Sequence, residues 1–263
     1  MLPAKKSLLP AKSAGSGSLF QSERSIGNVF AFILFLSPVP TFHRIRKSRS
    51  VERFSAAPYL AALLNCMLWT VYGLPPVHPH STLVLTINGS GTAIEIVYVF
   101  LFLAFSTGRR RRLVASLLAM EIIFVGAVAG LVIGLEPDRH HRELIVGVLC
   151  VFCCTLMYAA PLSVMKTVIQ SKSVEYMPLF LSLACFFNGS SWTAYALIRF
   201  DLFITIPNVL GVLLSIAQLV LHVMYYKSTQ RQVEARKQTA QIDLSEIERG
   251  DVAAVSSTTD LSN

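Results

Sequence analysis

The chain has 263 residues, of which 53% are hydrophobic and 14% charged, with a net charge of +8 and a mean hydropathy of +0.57. Soluble domains carry about 25% charged residues, so this composition excludes an ordinary soluble domain and points to an integral membrane protein. The positive charge does not indicate nucleic acid, because Lys and Arg cluster between apolar segments, as they do in cytoplasmic membrane loops.

Residues 1–25 form a polar N-terminal tail. Seven apolar segments follow, at roughly 26–43, 57–74, 82–105, 113–134, 144–165, 177–198 and 202–226. Each approaches or exceeds the ~17–25 residues that cross a bilayer as a helix. The first has lysines ahead of "VFAFILFL", as a signal peptide would, but "SPVP" follows without a small-residue cleavage site, so it is read as a span. Residues 227–263 are polar and read as a disordered cytoplasmic tail.

Basic residues orient these spans. "HRIRKSRSVER" holds five Lys or Arg, "GRRRR" adds Arg109 to Arg112, Lys166 and Lys172 lie near the next alternate loop, and further basic residues follow Tyr226. The intervening loops "PPVHPHS", "EPDRHHRE" and "IRFD" hold none, two and one. The positive-inside rule therefore places the N-terminus outside and the C-terminus in the cytoplasm. The five cysteines, Cys66, Cys150, Cys153, Cys154 and Cys185, all fall in apolar segments. Cys150 and Cys153 make a C-x-x-C pattern with no second pair or nearby His, so they read as packing residues, and neither metal nor cofactor is expected.

An internal repeat organises the spans. Pro38 and Pro161, the "SVE" triplets at 50–52 and 173–175, Asn65 and Asn188, and "WTVY" at 69–72 and "WTAY" at 192–195 all share an offset of 123 residues. Asn88-x-x-Gly91 matches Asn208-x-x-Gly211 at an offset of 120, as Pro58 matches Pro178. The expected fold is all-α: two three-helix repeats, 26–105 and 144–226, joined by a linker region, 106–143, that carries the fourth span. Three spans per copy and one extra crossing make the two copies parallel, related by an axis along the membrane normal, an arrangement in which transporters bind substrate at the repeat interface.

The polar residues inside the spans then acquire a meaning. Asn88 and Asn188 sit in Asn-Gly-Ser sequons, but mid-span, where no glycan can be attached. An unpaired buried amide costs several kcal/mol. Such residues either tie helices together or face a polar pathway. Two symmetry-related pairs, Asn65/Asn188 and Asn88/Asn208, favour a central cavity. Trp69 and Trp192, the only two tryptophans, lie one turn beyond Asn65 and Asn188 on the same helix faces. Amides and flat aromatic faces together suit a neutral, hydroxyl-rich ring; an interfacial aromatic belt is the other use of such Trp.

"FLSPVPTF", "SVE", "PYLAALLNCMLWTVYGLP", "TINGSG", "MYAAPLSVM", "KSVEYMP", "SSWTAYALI" and "IPNVLG" resemble, in order and spacing, the two repeated blocks of the plant SWEET (MtN3/saliva) sugar transporters over about residues 26–226. "NCMLW" and "GLPPVHPHS" resemble most the hexose-transporting branches. The resemblance implies a bidirectional facilitative sugar uniporter that works by alternating access and prefers a monosaccharide such as glucose. It implies that Asn88 and Asn208 bind the sugar, with Trp192, Asn188, Asn65 and Trp69 lining the pocket. Met157 would line the cavity and disfavour sucrose by its volume. Tyr72 and Asp201 match an outer gate pair, and Pro38, Pro58, Pro161 and Pro178 match four helix hinges. Expected partners are the sugar, membrane lipid and related transporters in a homo- or hetero-oligomer, and the expected location is the plasma membrane, with the vacuolar membrane as the alternative. The chain departs from the family pattern before Ile26, where "LFQSERS" is polar.

Three other readings fit the residues less well. A proton-coupled carrier of the PQ-loop type would use a Pro-Gln pair, absent here because Pro38 precedes Val39 and Pro161 precedes Leu162, although Glu95 and Glu121 are intramembrane acids able to relay protons. A seven-span receptor conflicts with the parallel repeat. An enzyme is not expected, since no His, Cys, Ser and acid grouping shares a face; His78, His80, His140 and His141 read as solvated loop residues.

Overall fold

A computed structural model of the chain describes residues 28–51 and 54–260, with side chains through residue 242. The N-terminal tail 1–25, and Glu52 of the first "SVE" triplet, lie outside the described residues.

Among the described residues the fold is all-helical, with seven helices and no strand. They are α1 (Asn28–Ser48), α2 (Ala57–Tyr72), α3 (Thr82–Phe105), α4 (Gly108–Leu135), α5 (Arg139–Ser171), α6 (Leu179–Arg199) and α7 (Leu202–Asp260). Five are long and apolar enough to cross a membrane: α1, α3, α4, α5 and the Leu202–Ile242 part of α7. At 16 residues α2 is a shorter apolar helix, and the polar "NGSS" at the centre of α6 lowers its hydropathy.

Each repeat is a three-helix unit. In the first, α2 packs along α3 and the basic half of α1 lies against α3; in the second, α6 packs along α7 and the corresponding half of α5 lies against α7. The units meet where α2 packs on α5, and α4 lies against both of these helices as the linker. Three buried clusters follow this plan. One, including Trp69, Tyr72, Val84, Val146, Tyr195 and Ile204, draws on both repeats and sits toward the loop end poor in Lys and Arg. The other two, built around Phe42, Tyr98 and Phe102 and around Val168, Val174 and Met177, lie toward the basic end and draw on one repeat each, the first with Val114 and Leu118 of α4 added. Hydrophobic burial, the main favourable term in folding, therefore joins the halves at one end only.

The four conserved-register prolines divide into two roles. Pro38 sits at a break in α1 at Ser37–Pro38, with Pro40 just beyond, and Pro161 lies three residues after a break in α5 at Tyr158. A proline removes the hydrogen bond to the carbonyl four residues back, which accounts for both interruptions. Pro58 instead stands in the first turn of α2, and Pro178 is the N-cap of α6. There the missing N–H is an orphan in any case, so neither kinks its helix. The helix interior holds a different proline, Pro207 in α7, fully buried.

The tail also differs from its expected disorder, because α7 continues through Asp260. The stretch after Tyr226 is rich in Gln, Ala, Lys, Arg and Glu and holds no Pro, and these residues have good helix propensity. Its first turns are also anchored. Thr229 Oγ1 accepts from the Val174 amide at 2.8 Å, the Gln232 amide nitrogen donates to the Ser171 carbonyl at 3.1 Å, and Arg236 pairs with Glu175 at 2.6 Å.

Two glycines fix how the first helix of each repeat approaches the third. A Cβ on Gly91 would meet Phe35 Cζ at 2.5 Å and Cys66 Sγ at 2.9 Å; one on Gly211 would meet the Tyr158 hydroxyl at 3.0 Å. Phe35 and Tyr158 share the 123-residue offset, so each repeat seats an aromatic ring on a bare helix backbone. Gly91→Ala should cost about 1–3 kcal/mol by overpacking and lower the melting temperature in detergent. Gly89→Ala, whose Cβ has nothing within 4 Å, should leave it unchanged.

Candidate functional site

The interface between the repeats encloses a cavity of about 230 Å³. Asn65, Trp69, Asn88, Asn188, Trp192 and Asn208 all line it. Side chains up to 143 residues apart in sequence, from α2, α3, α6 and α7, thus converge on one space. Each position follows from helix periodicity: Asn65 and Trp69, like Asn188 and Trp192, are four residues apart and share a face.

The inner amides behave as a symmetric pair. The Asn88 nitrogen donates to the Val84 carbonyl at 2.9 Å, and the Asn208 nitrogen donates to the Ile204 carbonyl at 2.8 Å. Each donor thus satisfies one N–H on its own helix, four residues back, and fixes the rotamer. The carboxamide keeps a second N–H and an acceptor oxygen for a ligand. The tryptophans are also matched: Trp69 packs edge-on against Tyr72 at 5.3 Å and Trp192 against Tyr195 at 5.5 Å. The edge-on tyrosines fix both indoles, which line the cavity together with the amides.

The outer amides break the symmetry. Asn65 Oδ1 accepts from the Cys154 thiol at 3.1 Å, and the same sulfur accepts from Trp69 Nε1 at 3.3 Å. This chain ties α2 to α5 across the repeats. Its mate Asn188 has a buried Oδ1 without a hydrogen-bond partner among the described residues. A buried unpaired amide oxygen costs about 1–3 kcal/mol, and a ligand hydroxyl in the cavity would relieve it.

Among the lining residues that escape the sequence reading are Phe35, Cys154, Tyr158 and Pro207. The Tyr158 hydroxyl donates to the Pro207 carbonyl. The repeat register carried a signal for two of them, since Phe35 and Tyr158 are mates beside the hinge prolines. Met157 is not among the residues lining this cavity; its repeat mate Leu34 is, and the next residue, Tyr158, takes the place expected for Met157. The expectation for Met157 comes from the resemblance alone; in this structure the helix breaks at the adjacent Tyr158, and Tyr158 lines the cavity.

Beyond Trp69 the cavity is closed. The Tyr72 hydroxyl donates to the Asp201 carboxylate at 3.0 and 3.1 Å, and Asp201 Oδ1 also accepts the Ile204 N–H at 3.1 Å as the cap of α7. Both residues are buried. At the other end the space continues into a second cavity lined by Pro161, Cys185 and Gln218, and sharing Tyr158, Asn188 and Asn208. The cavity therefore leads toward the basic end and is sealed toward the other.

A helical membrane protein of two parallel three-helix repeats, with a polar, aromatic-walled cavity between them and one end closed, has the architecture of a small-solute transporter. A family model described as "sugar efflux transporter for intercellular exchange" (MtN3/saliva) matches residues 24–110 and 144–230. The chain belongs to this family, the SWEET transporters. It is similar to bidirectional sugar transporter SWEET4 of Oryza sativa subsp. indica, 66% identical over 212 residues that cover 81% of this chain and 82% of the relative. It is also similar to bidirectional sugar transporter SWEET7 of Arabidopsis thaliana, 51% identical over 81% of this chain and 83% of the relative. Among solved structures it resembles a eukaryotic SWEET transporter determined at 3.7 Å, with a TM-score of 0.76 and 39% identity over 79% of this chain and 97% of the other.

The seal makes a direct prediction. Tyr72→Phe removes the donor to a buried carboxylate, worth about 1–3 kcal/mol, and should release the closed end. Labelling of Cys154 from outside by an impermeant maleimide, in a variant with the other cysteines replaced by Ala, should rise about tenfold or more, since ~1.4 kcal/mol is tenfold.

Proposed function

We propose that this protein is a bidirectional, facilitative sugar transporter that carries a monosaccharide of the glucose type by alternating access. One observation carries the reading: the symmetric pair Asn88 and Asn208, each braced on its own helix and each lining the cavity that Trp69 and Trp192 also line. A pyranose ring has hydroxyls at its rim for such amides and C–H faces for the indoles. Release demands weak binding. Millimolar affinity is only about −4 kcal/mol, the sum of a few hydrogen bonds at ~0.5–1.5 each and some ring contact.

Alternating access is supported by the distribution of the cores. The halves share buried apolar surface only at the end sealed by Tyr72 and Asp201, and each keeps its own core at the basic end. By the positive-inside rule the basic end is cytoplasmic, so this form faces inward. The breaks near Pro38 and Pro161 are the positions about which α1 and α5 would bend to reverse it.

Asn88→Ala and Asn208→Ala should each abolish uptake of labelled glucose in cells lacking endogenous hexose carriers, at unchanged surface expression; near-normal uptake by both variants would remove the pair from the site. The wild type should largely refuse sucrose, and sucrose flux comparable with glucose flux would end the monosaccharide reading. Met157→Val should raise sucrose flux relative to glucose only if Met157 enters the cavity in another state of the cycle.

A second reading rests on Glu95 and Glu121, whose Oε2 atoms are buried without hydrogen-bond partners among the described residues. Unpaired intramembrane carboxyls are the groups that relay protons in coupled carriers. With outer pH held constant, a protonophore should leave initial glucose uptake unchanged if transport is uncoupled. A several-fold drop would favour coupling, with Glu95 the first residue to substitute.

A further inference from the structure

The duplication supplies an internal comparison at the basic end of the molecule. Residues 43–53, at and beyond the end of α1, and 166–176, at and beyond the end of α5, are in register at an offset of 123. Their buried positions coincide. Ile45 and Val168 are both fully covered, and Val51 and Val174 are both buried. Their charges do not coincide: Arg44, Arg46 and Lys47 stand where the second repeat has Thr167, Ile169 and Gln170. At the offset of 120 that relates α3 to α7, Arg109 and Arg112 stand where the second repeat has Thr229 and Gln232. Residues 43–53 and 107–112 together hold nine Lys or Arg and one acid, Glu52, whereas 166–176 and 227–232 hold four and one, Glu175. Since the second repeat keeps the same buried positions with fewer than half the cations, the fold does not require the charge of the first.

The second repeat also shows what neutral residues do at these positions. Thr229 accepts from the Val174 amide and Gln232 donates to the Ser171 carbonyl, so the end of α7 is tied to the turn after α5. In the first repeat α3 stops at Phe105 and α4 begins at Gly108. Phe42 and Ile45 of α1 share one buried cluster with Val114 of α4, so the two basic runs border the same core. Hydrogen-bonding partners in one repeat are thus replaced by two runs of like charge in the other, and like charges repel. Among the described residues, Arg46, Lys47, Arg49, Arg109, Arg111 and Arg112 are exposed and form no ion pair. The first turn of α4 holds no acidic residue, and the helix dipole adds to the positive charge there.

We propose that this basic face binds a polyphosphorylated lipid headgroup of the cytoplasmic leaflet, a phosphatidylinositol bisphosphate, which bridges the end of α1 to the start of α4.

Three features favour this partner. Guanidinium presents forked N–H donors that match phosphate oxygens bidentately, and five of the six unpaired cations are arginines. Joining two separate runs takes an anion with more than one phosphate, which a singly charged headgroup such as phosphatidylserine lacks. Finally, Arg112 is followed at once by Leu113, 57% exposed, where the apolar part of α4 begins. The run therefore stands at headgroup depth, on the side that the positive-inside rule makes cytoplasmic, and clusters of about four to eight cations at that depth attract phosphoinositides. Orientation requires basic residues at this end of the molecule, but not their concentration on one repeat.

The test is binding of a fluorescent dioctanoyl phosphatidylinositol bisphosphate to the full-length protein in phosphatidylcholine nanodiscs, followed by anisotropy with empty nanodiscs as the blank. In competition, the unlabelled lipid should displace the probe at a concentration about tenfold or more below that of dioctanoyl phosphatidylserine. Soluble inositol trisphosphate, which has no chains to bury, should also compete about tenfold or more weakly than the lipid. Arg46→Gln with Lys47→Gln, and Arg109→Gln with Arg112→Gln, should each weaken binding about 25-fold, at about fivefold per cation. Lys227→Gln with Arg231→Gln removes two charges from the second repeat and should change binding less than about twofold, because screening confines the attraction to nearby charges. Equal affinity for phosphatidylserine, or an equal loss in the second-repeat pair, reduces the face to general surface attraction and overturns the proposal. A loss confined to one of the two first-repeat pairs overturns the bridge. Competition by inositol trisphosphate as strong as by the lipid overturns the membrane source and leaves a site for a soluble phosphate. The comparison of the two lipids and the free headgroup uses the wild type alone, so it decides the matter even where a substituted protein fails to fold.

Discussion

A carboxamide in hydrocarbon must find a partner, because water is absent and an unpaired amide costs several kcal/mol. Four asparagines placed mid-span impose that demand four times, and the fold answers it at one locus. Asn88 and Asn208 are braced by carbonyls of their own helices, Asn65 is satisfied by a thiol from the opposing repeat, and Asn188 keeps an open acceptor. No packing that scattered these side chains toward lipid would be tolerated. The requirement to gather them positions α2, α3, α6 and α7 around a shared space, and the transport chemistry is a consequence of how that polar debt is met.

Duplication explains the architecture, and departures from it mark where the two halves differ. Phe35 and Tyr158 occupy equivalent seats on Gly91 and Gly211, but only the tyrosine has a hydroxyl, which it commits to Pro207 in α7. Likewise the Trp69–Cys154–Asn65 chain crosses the interface, whereas the repeat mate of Cys154 is Ala31, which has no thiol to offer Trp192 and Asn188. The axis along the membrane normal leaves the two ends of the molecule unlike, and the two repeats share a core only at the end poor in Lys and Arg.

The spans, the repeat and the cavity amides were legible because they depend on local quantities: hydropathy over a window, an offset in register, the four-residue period of a helix face. Cys154, Tyr158 and Pro207 were not, since a thiol reads as a packing residue until a tryptophan N–H and an amide oxygen from another repeat are seen beside it. The roles of Pro58 and Pro178 hinged on helix boundaries, which place one in a first turn and the other at an N-cap, and hydropathy blurs boundaries by a few residues. Met157 was expected in the cavity by resemblance, with no local signal of its own, and here its neighbour Tyr158 lines the cavity at the helix break. The tail beyond Tyr226 reads as disordered by polarity alone, yet its helix is anchored through a loop distant in sequence.

That anchored helix has a mechanical meaning. Asn208 in the cavity and Arg236 beyond the membrane lie on one continuous helix, and at ~1.5 Å of rise per residue the distance between them is about 40 Å. Thr229, Gln232 and Arg236 fasten this rod to the turn that joins α5 and α6. The rod is thereby a lever with two arms of similar length, one carrying an amide that lines the cavity and the other running on to Asp260. A few degrees of tilt imposed on the far arm would displace the amide's surroundings, so whatever grips the tail in the cell has a handle on the second repeat.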